Sequence, residues 1–186
     1  MLVGNAEGAV RMATDYGGWR RDVRREVFVS YHHRGDQAYY DAFSRMFHDS
    51  LRLITDNSLE RKVDSNDPGY IMRRIREHHL HGSSCTIVLC GADTWRRKFV
   101  DWEIYASLDQ QMGLVGVRLP TLLLAANGGT AKPQRLQDNI DSAYAPWVQW
   151  NDIANDAGAV QRAVETALER PRSTIANTRQ RMVRNL

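Results

Sequence analysis

Cysteine is scarce in this chain, with two in 186 residues, and a disulfide-built scaffold is excluded on that count. Both lie in one apolar run, as Cys85 and Cys90. If that run is a strand, five steps set their Cα atoms roughly 16 Å apart, far beyond disulfide reach. They read as buried free thiols in a reducing cytosol. Long apolar stretches are missing as well, since none approaches the roughly 20 residues of a membrane-spanning helix. Residues 1–21 carry Gly4, Gly8, Gly17 and Gly18 among scattered charges, with no apolar run of the signal-peptide kind. Neither a membrane partner nor export is expected, and the expected location is the cytoplasm.

Several chemical signatures are absent too. There is no G-x-G-x-x-G, no G-x-x-x-x-G-K-[ST], no paired C-x-x-C and no G-x-S-x-G, so Rossmann, P-loop and α/β-hydrolase chemistry lose their main support. His78, His79 and His81 are too unevenly directed on a helix to gather one ion, and no well-spaced carboxylate completes a set; no metal is expected. Internal repeats and low-complexity segments are lacking. The formal charge is only +3, with basic clusters at Arg20, Arg21, Arg24 and Arg25, at Arg73, Arg74 and Arg76, and at Arg96, Arg97 and Lys98. Acidic residues lie among them and no nucleic-acid motif accompanies them, so a solvated surface is the simpler reading and nucleic acid is not an expected partner.

What is present is the make-up of one globular domain: 42% hydrophobic and 25% charged residues, in a length suited to a single core. The β-branched and aromatic run Val27 to Tyr31 predicts a buried strand, followed by the polar loop His32, His33, Arg34, Gly35 and Asp36. Asp36 suits the N-cap of a helix reaching about Leu53, with Tyr40, Phe43, Phe47 and Leu51 at three- and four-residue steps. Residues 54–69 read as a long polar connection. A helix with Pro68 in its first turn then carries Ile71 and Ile75 and stops at Gly82. Cys85 to Gly91 has the unbroken apolar character of a strand buried on both faces. Asp93 or Thr94 is the expected N-cap of a helix to about Met112. Leu114 to Leu119 reads as a strand, with Leu122 to Ala126 as a candidate extension of the apolar layer. Trp147 to Trp150 reads as a short strand, and Ile153 to Glu169 as a final helix before a polar tail. This alternation predicts a doubly wound parallel sheet of about five strands with helices on both faces. The expected organisation is an N-terminal extension at 1–25, one domain at 26–170 and a C-terminal tail at 171–186. Ligands of such sheets collect beyond the carboxyl ends of the strands, here the loops after Tyr31 and after Gly91.

The helix expected over Asp93 to Leu108 is the most informative segment. At 100° per residue, Trp95, Phe99, Trp102 and Ala106 form one stripe and Val100, Ile104 and Leu108 another, so it should be buried on two sides. Glu103 lies at the margin of the aromatic stripe, where a carboxylate is partly desolvated. Taken alone, an ion pair with one of the many arginines is the simpler account of it.

Four segments shift that balance: Val-Phe-Val-Ser-Tyr-His-His at 27–33, Thr-Ile-Val-Leu-Cys-Gly at 86–91, Thr-Trp-Arg-Arg-Lys-Phe-Val-Asp-Trp-Glu-Ile at 94–104, and Tyr-Ala-Pro-Trp at 144–147. Together they resemble the TIR-like family, more narrowly its branch in the bacterial Thoeris antiphage system, over roughly residues 25–168. The resemblance implies a flavodoxin-like fold and NAD+ as substrate, with no prosthetic group. It implies cleavage of the nicotinamide glycosidic bond and a cyclic ADP-ribose-type product, a diffusible nucleotide signal for a separate effector. It further implies gating by phage infection, through a phage-derived activator or self-association. The family's catalytic glutamate corresponds to Glu103. Two departures stand out: many members carry a Trp-Cys pair shortly before the glutamate, whereas here Phe99 stands four residues before it and Trp95 a further turn back, and residues 54–69, the place of a variable loop, match nothing in the family.

One carboxylate is chemically enough for this bond. Nicotinamide in NAD+ is already a cationic leaving group, so no general acid is needed, unlike an ordinary glycoside. An ionised Glu103 beneath the ribose would steady the positive charge that grows there, best where water is excluded, and Trp95 and Phe99 are the expected dry wall. Cyclisation needs only that an internal nucleophile be folded against the ribose before water arrives. Ser30, Tyr31, His32 and Arg34 are the expected donors to the pyrophosphate, close to a helix N-terminus; loop solvation or capping is their ordinary alternative. Two other functions stay open on sequence: a TIR-like interaction module without chemistry, and a flavodoxin-like flavin or phosphoacceptor domain, for which Asp93 lacks an acidic partner cluster.

Overall fold

The computed structural model describes residues 24–54, 67–124 and 129–186. The expected extension at 1–25 therefore lies almost wholly outside the described residues, as do most of the 54–69 connection and Ala125 and Ala126 of the candidate extension after Leu122. Strands β1 (Arg25–Ser30), β2 (Leu51–Ile54), β3 (Cys85–Cys90), β4 (Gly113–Arg118) and β5 (Trp147–Gln149) form one parallel sheet in the order β2-β1-β3-β4-β5. Helices α1 (His33–Phe47), α2 (Pro68–Arg74), α3 (Lys98–Asp109), α4 (Gln134–Asp141), α5 (Trp150–Asn155) and α6 (Ala157–Glu169) surround it. This is the doubly wound, flavodoxin-like α/β architecture that the alternating pattern predicts. The chain steps to one side of β1 to make β2 and to the other to make β3, so the switch point falls between β1 and β3.

Successive strand residues face opposite sides, and the core divides accordingly. Val27 and Val29 join Ile87, Leu89, Val115 and Val117 beneath Phe43 and Phe47 of α1 and Val160 and Val164 of α6. On the other face, Val88, Cys90 and Leu114 meet Val100, Ile104 and Leu108 of α3, and Phe28 meets Ile71 and Ile75 beside Trp102 and Ala106. Helix α3 is thus buried on two sides, by Phe99, Trp102 and Ala106 on one and Val100, Ile104 and Leu108 on the other, without the expected Trp95. Both thiols are free, and burial pushes each far above the ordinary cysteine range.

Several elements differ from expectation. Leu51 and Leu53 belong to β2 rather than to the end of α1, because turn residues His48 to Ser50 stop the helix and hand the chain to the edge of β1. The α1 N-cap is His32, not Asp36, which is buried in the first turn. The final helix is two helices broken at Asp156, whose side chain caps α6 by accepting from Gly158 N. Helix α4, placed by no sequence reading, carries Leu136 into the second face. The helix begun by Pro68 passes into a π-helical turn over Ile75–His79 and ends near Gly82, whose φ of 83° is a conformation few other residues adopt.

Residues 171–186 are laid across α3 and α4. Asn139 Nδ2 donates to Ala176 O while its Oδ1 accepts from Ala176 N, at 2.8 and 3.0 Å. Arg135, fully buried, donates to Asn177 Oδ1 and Gln180 O, and through Nε to Asp101 Oδ1 at 3.0 Å. Met182 closes the strap from its backbone: its N–H reaches Asp101 Oδ2 and its carbonyl accepts from Trp102 Nε1.

Candidate functional site

Pleat parity sets the site. Ser30, the last residue of β1, shares its face with Phe28 and so points toward α3. There its Oγ donates to Glu103 Oε2 at 2.6 Å, with Ser30 1% and Glu103 8% exposed. That length is typical of a hydroxyl bonded to an ionised carboxylate. One turn further along α3, Ser107 Oγ donates to Glu103 O at 2.7 Å and meets Thr86 Oγ1 at 2.6 Å. A serine has a single hydroxyl proton, so Thr86 is the donor of the second bond. These groups form a polar seam between sheet and helix, ending at the carboxyl edge of β1 beside the switch point.

A second link ties the two loops at that edge. Asp36 Oδ2 accepts from Thr94 Oγ1, which itself accepts from Gly91 N, each at 2.8 Å. A Cβ at Gly91 would stand 1.9 Å from Asp36 Oδ1, so only glycine lets this carboxylate approach the end of β3. Burial pushes the Asp36 carboxyl above its ordinary range, with the Thr94 bond opposing.

The other sequence-predicted residues separate. Tyr31 points away from Ser30, into the α1 side, where its ring stacks on Tyr40 at 4.5 Å and its hydroxyl donates to Gln37. His32 is buried at the α1 N-terminus, its ring folded over Gly35, and its carbonyl accepts from Asp36 N. Arg34 is exposed in the first turn. Phe99 stays on the Glu103 side of α3, half-buried against Trp102 at 6.1 Å. Trp95 does not share its stripe. The expected continuous helix is a 3-10 turn, Thr94–Arg96, separated from α3 by Arg97 in an extended conformation. Thr94 is bonded to Asp36 and Gly91 rather than capping α3, and the break turns Trp95 toward the C-terminal tail and Asp101.

Sequence reasoning missed Asp36 as a loop tie, though an acidic residue opening a helix opposite a glycine after a buried strand is a faint sign of one. It also missed the Asp101–Arg135 pair, for which the arginine sits in an unassigned segment. Among the described residues, no group of three or more His, Cys, Asp or Glu is placed to hold a metal, and no helix is long and apolar enough to cross a membrane.

A parallel flavodoxin-like sheet, with a buried glutamate from the helix after β3 meeting the end of β1 at the switch point, defines a TIR-like domain. The sequence matches the family model described as Thoeris protein ThsB, TIR-like domain, over residues 28–123, just over half of its length, and the chain belongs to that family. A search of curated proteins found no match.

Proposed function

We propose that this TIR-like protein is an NAD+-consuming enzyme of bacterial antiphage defence, cleaving the nicotinamide glycosidic bond with Glu103 as the essential carboxylate. The observation that carries the proposal is the Ser30–Glu103 contact: a buried carboxylate, oriented by a short hydroxyl bond, at the rim where parallel sheets of this kind take ligands.

Its chemistry follows from charge. As the bond from ribose to the cationic nicotinamide lengthens, the electron pair leaves with the base and positive charge builds on the sugar. A fixed carboxylate in a poorly hydrated site stabilises that charge without reorganising. Ser30 holds one carboxylate oxygen, Oε2, in place beneath the ribose. Phe99 is the apolar neighbour that supports a dry wall on this side, whereas Trp95, turned to the tail, drops out of that role. Arg34, exposed at the α1 N-terminus, is the remaining loop cation suited to a pyrophosphate. The product in this reading is a cyclic ADP-ribose-type signal, formed when an internal nucleophile outruns water, and it activates a separate effector. Activation comes from a phage-derived partner or from self-association.

The test is mass spectrometry of small molecules from infected cells expressing wild type or Glu103→Gln. Wild type should deplete NAD+ and accumulate nicotinamide with an ADP-ribose-type product, and the variant, folded and equally abundant, should not. Turnover retained by Glu103→Gln removes the catalytic assignment. Protection unchanged by that substitution, with no NAD+-derived product in either sample, would establish the interaction-module alternative.

A further inference from the structure

On the far side of α3 from Glu103, a cavity of about 620 Å³ opens between Trp95, Pro133 and the C-terminal tail. Asp101 faces it and Glu103 does not, being two helical positions, or about 200°, further round. Its volume falls within the range of small-molecule sites, about 300–1,000 Å³.

The charges around this cavity do not cancel. The tail contributes Arg179, Arg181 and Arg184, against the Asp101 carboxylate and the main-chain carboxylate of Leu186. Asp101 is already taken up by Arg135 and by Met182 N. Arg179 is likewise engaged, with both oxygens of Asp138 at 2.8 Å. Arg181 and Arg184 form no ion pair among the described residues. The Arg181 guanidinium lies over Trp102 and Tyr105, 5.4 and 5.0 Å from the ring centroids, and its Nη1 is buried without a hydrogen-bond partner. A buried guanidinium nitrogen without a partner is costly unless an acceptor stands near it, and Arg184, exposed at the mouth, offers a planar fork matched to phosphate oxygens. Trp95, with the Arg96 guanidinium over one face of its ring at 4.7 Å, adds a half-buried indole whose other face suits a planar ring. Inorganic phosphate alone would leave most of the space unfilled.

We infer that this cavity binds a mononucleotide-sized organic phosphate, its phosphate toward Arg181 and Arg184 and its ring against Trp95. The site is separate from Glu103 and stands independently of the chemistry proposed there.

Calorimetric titration of the full chain with AMP, adenosine and inorganic phosphate tests the inference by binding alone. AMP should bind at one site, with adenosine at least about tenfold weaker for want of the charged contacts and phosphate weaker for want of the stacked ring. Arg184→Gln, which touches nothing structural among the described residues, and Arg181→Gln should each weaken AMP about tenfold. Trp95→Ala should weaken AMP and leave phosphate unchanged. Glu103→Gln should leave AMP affinity intact. Absence of AMP binding, or AMP affinity unaltered by Arg184→Gln, overturns the inference. Should Arg181→Gln unfold, judged by its melting curve, Arg184→Gln decides.

Discussion

Asp101 and Glu103 are two carboxylates two residues apart on one helix, 4% and 8% exposed, and they have opposite surroundings. Asp101 is enclosed by a fully buried guanidinium and a backbone N–H, so both oxygens are engaged on the tail side. Glu103 reaches the end of β1 and accepts a hydrogen bond from the Ser30 hydroxyl there, at the edge where ligands of this fold approach. Burial alone does not tell the two carboxylates apart. They differ in the side of α3 that each leaves, Asp101 toward the tail and Glu103 toward the end of β1.

The largest expected effect breaks the Asp101 side. Arg135→Met leaves a buried carboxylate without its cation and should cost about 3–5 kcal/mol, read from urea unfolding midpoints. Adding Asp101→Leu should return much of the loss, because apolar pairs of similar size replace buried ion pairs well. Glu103→Gln should show the reverse profile. Stability should stay within about 1 kcal/mol, while nicotinamide release by the activated protein falls about 10²–10³-fold, the scale of losing a preorganised electrostatic group. A Glu103→Gln protein that unfolds like Arg135→Met would erase the contrast. Ser30→Ala sharpens it: loss of the orienting hydroxyl should lower turnover about tenfold and cost about 1.5–3 kcal/mol of stability, the worth of a hydrogen bond to a charged group and less than the loss in Arg135→Met.

A third carboxylate gives the smallest effect. Burial raises the pKa of Asp36 in the folded protein. The folded state therefore holds that proton at a pH where the unfolded chain has released it, and stability falls as pH rises from the ordinary carboxylate range through the raised value. Asp36→Asn should flatten that slope in unfolding experiments across the window, even if its absolute stability is lower.

How legible these features were depended on whether they were made by apolar period or by polar side chains meeting at a distance. The apolar run of β3 and the double stripe of α3 declare themselves, and with them the sheet, its layers and the position of Glu103. Strand β2 hid because Leu51 and Leu53 prolong the spacing of α1. The break at Arg97 left no local mark: Thr94 is drawn off by Asp36, 58 residues earlier in the chain. The buried ion pair of Asp101 with Arg135 was not legible, because its arginine lies in a segment with no assigned element. The tail read as featureless because its hold depends on Asn139, Arg135 and main-chain groups, which carry no hydrophobic period.

Met182 fastens the strap through its amide and carbonyl, at 2.8 Å to Asp101 and 2.7 Å to Trp102, so the grip is written in the path of the chain rather than in the letter at that position. Leucine, alanine or lysine would preserve both bonds there, and proline, lacking the amide hydrogen, would release one. Relatives could therefore diverge freely along this segment and still clasp the same helix, and a comparison by residue identity would pass over a feature that their backbones share.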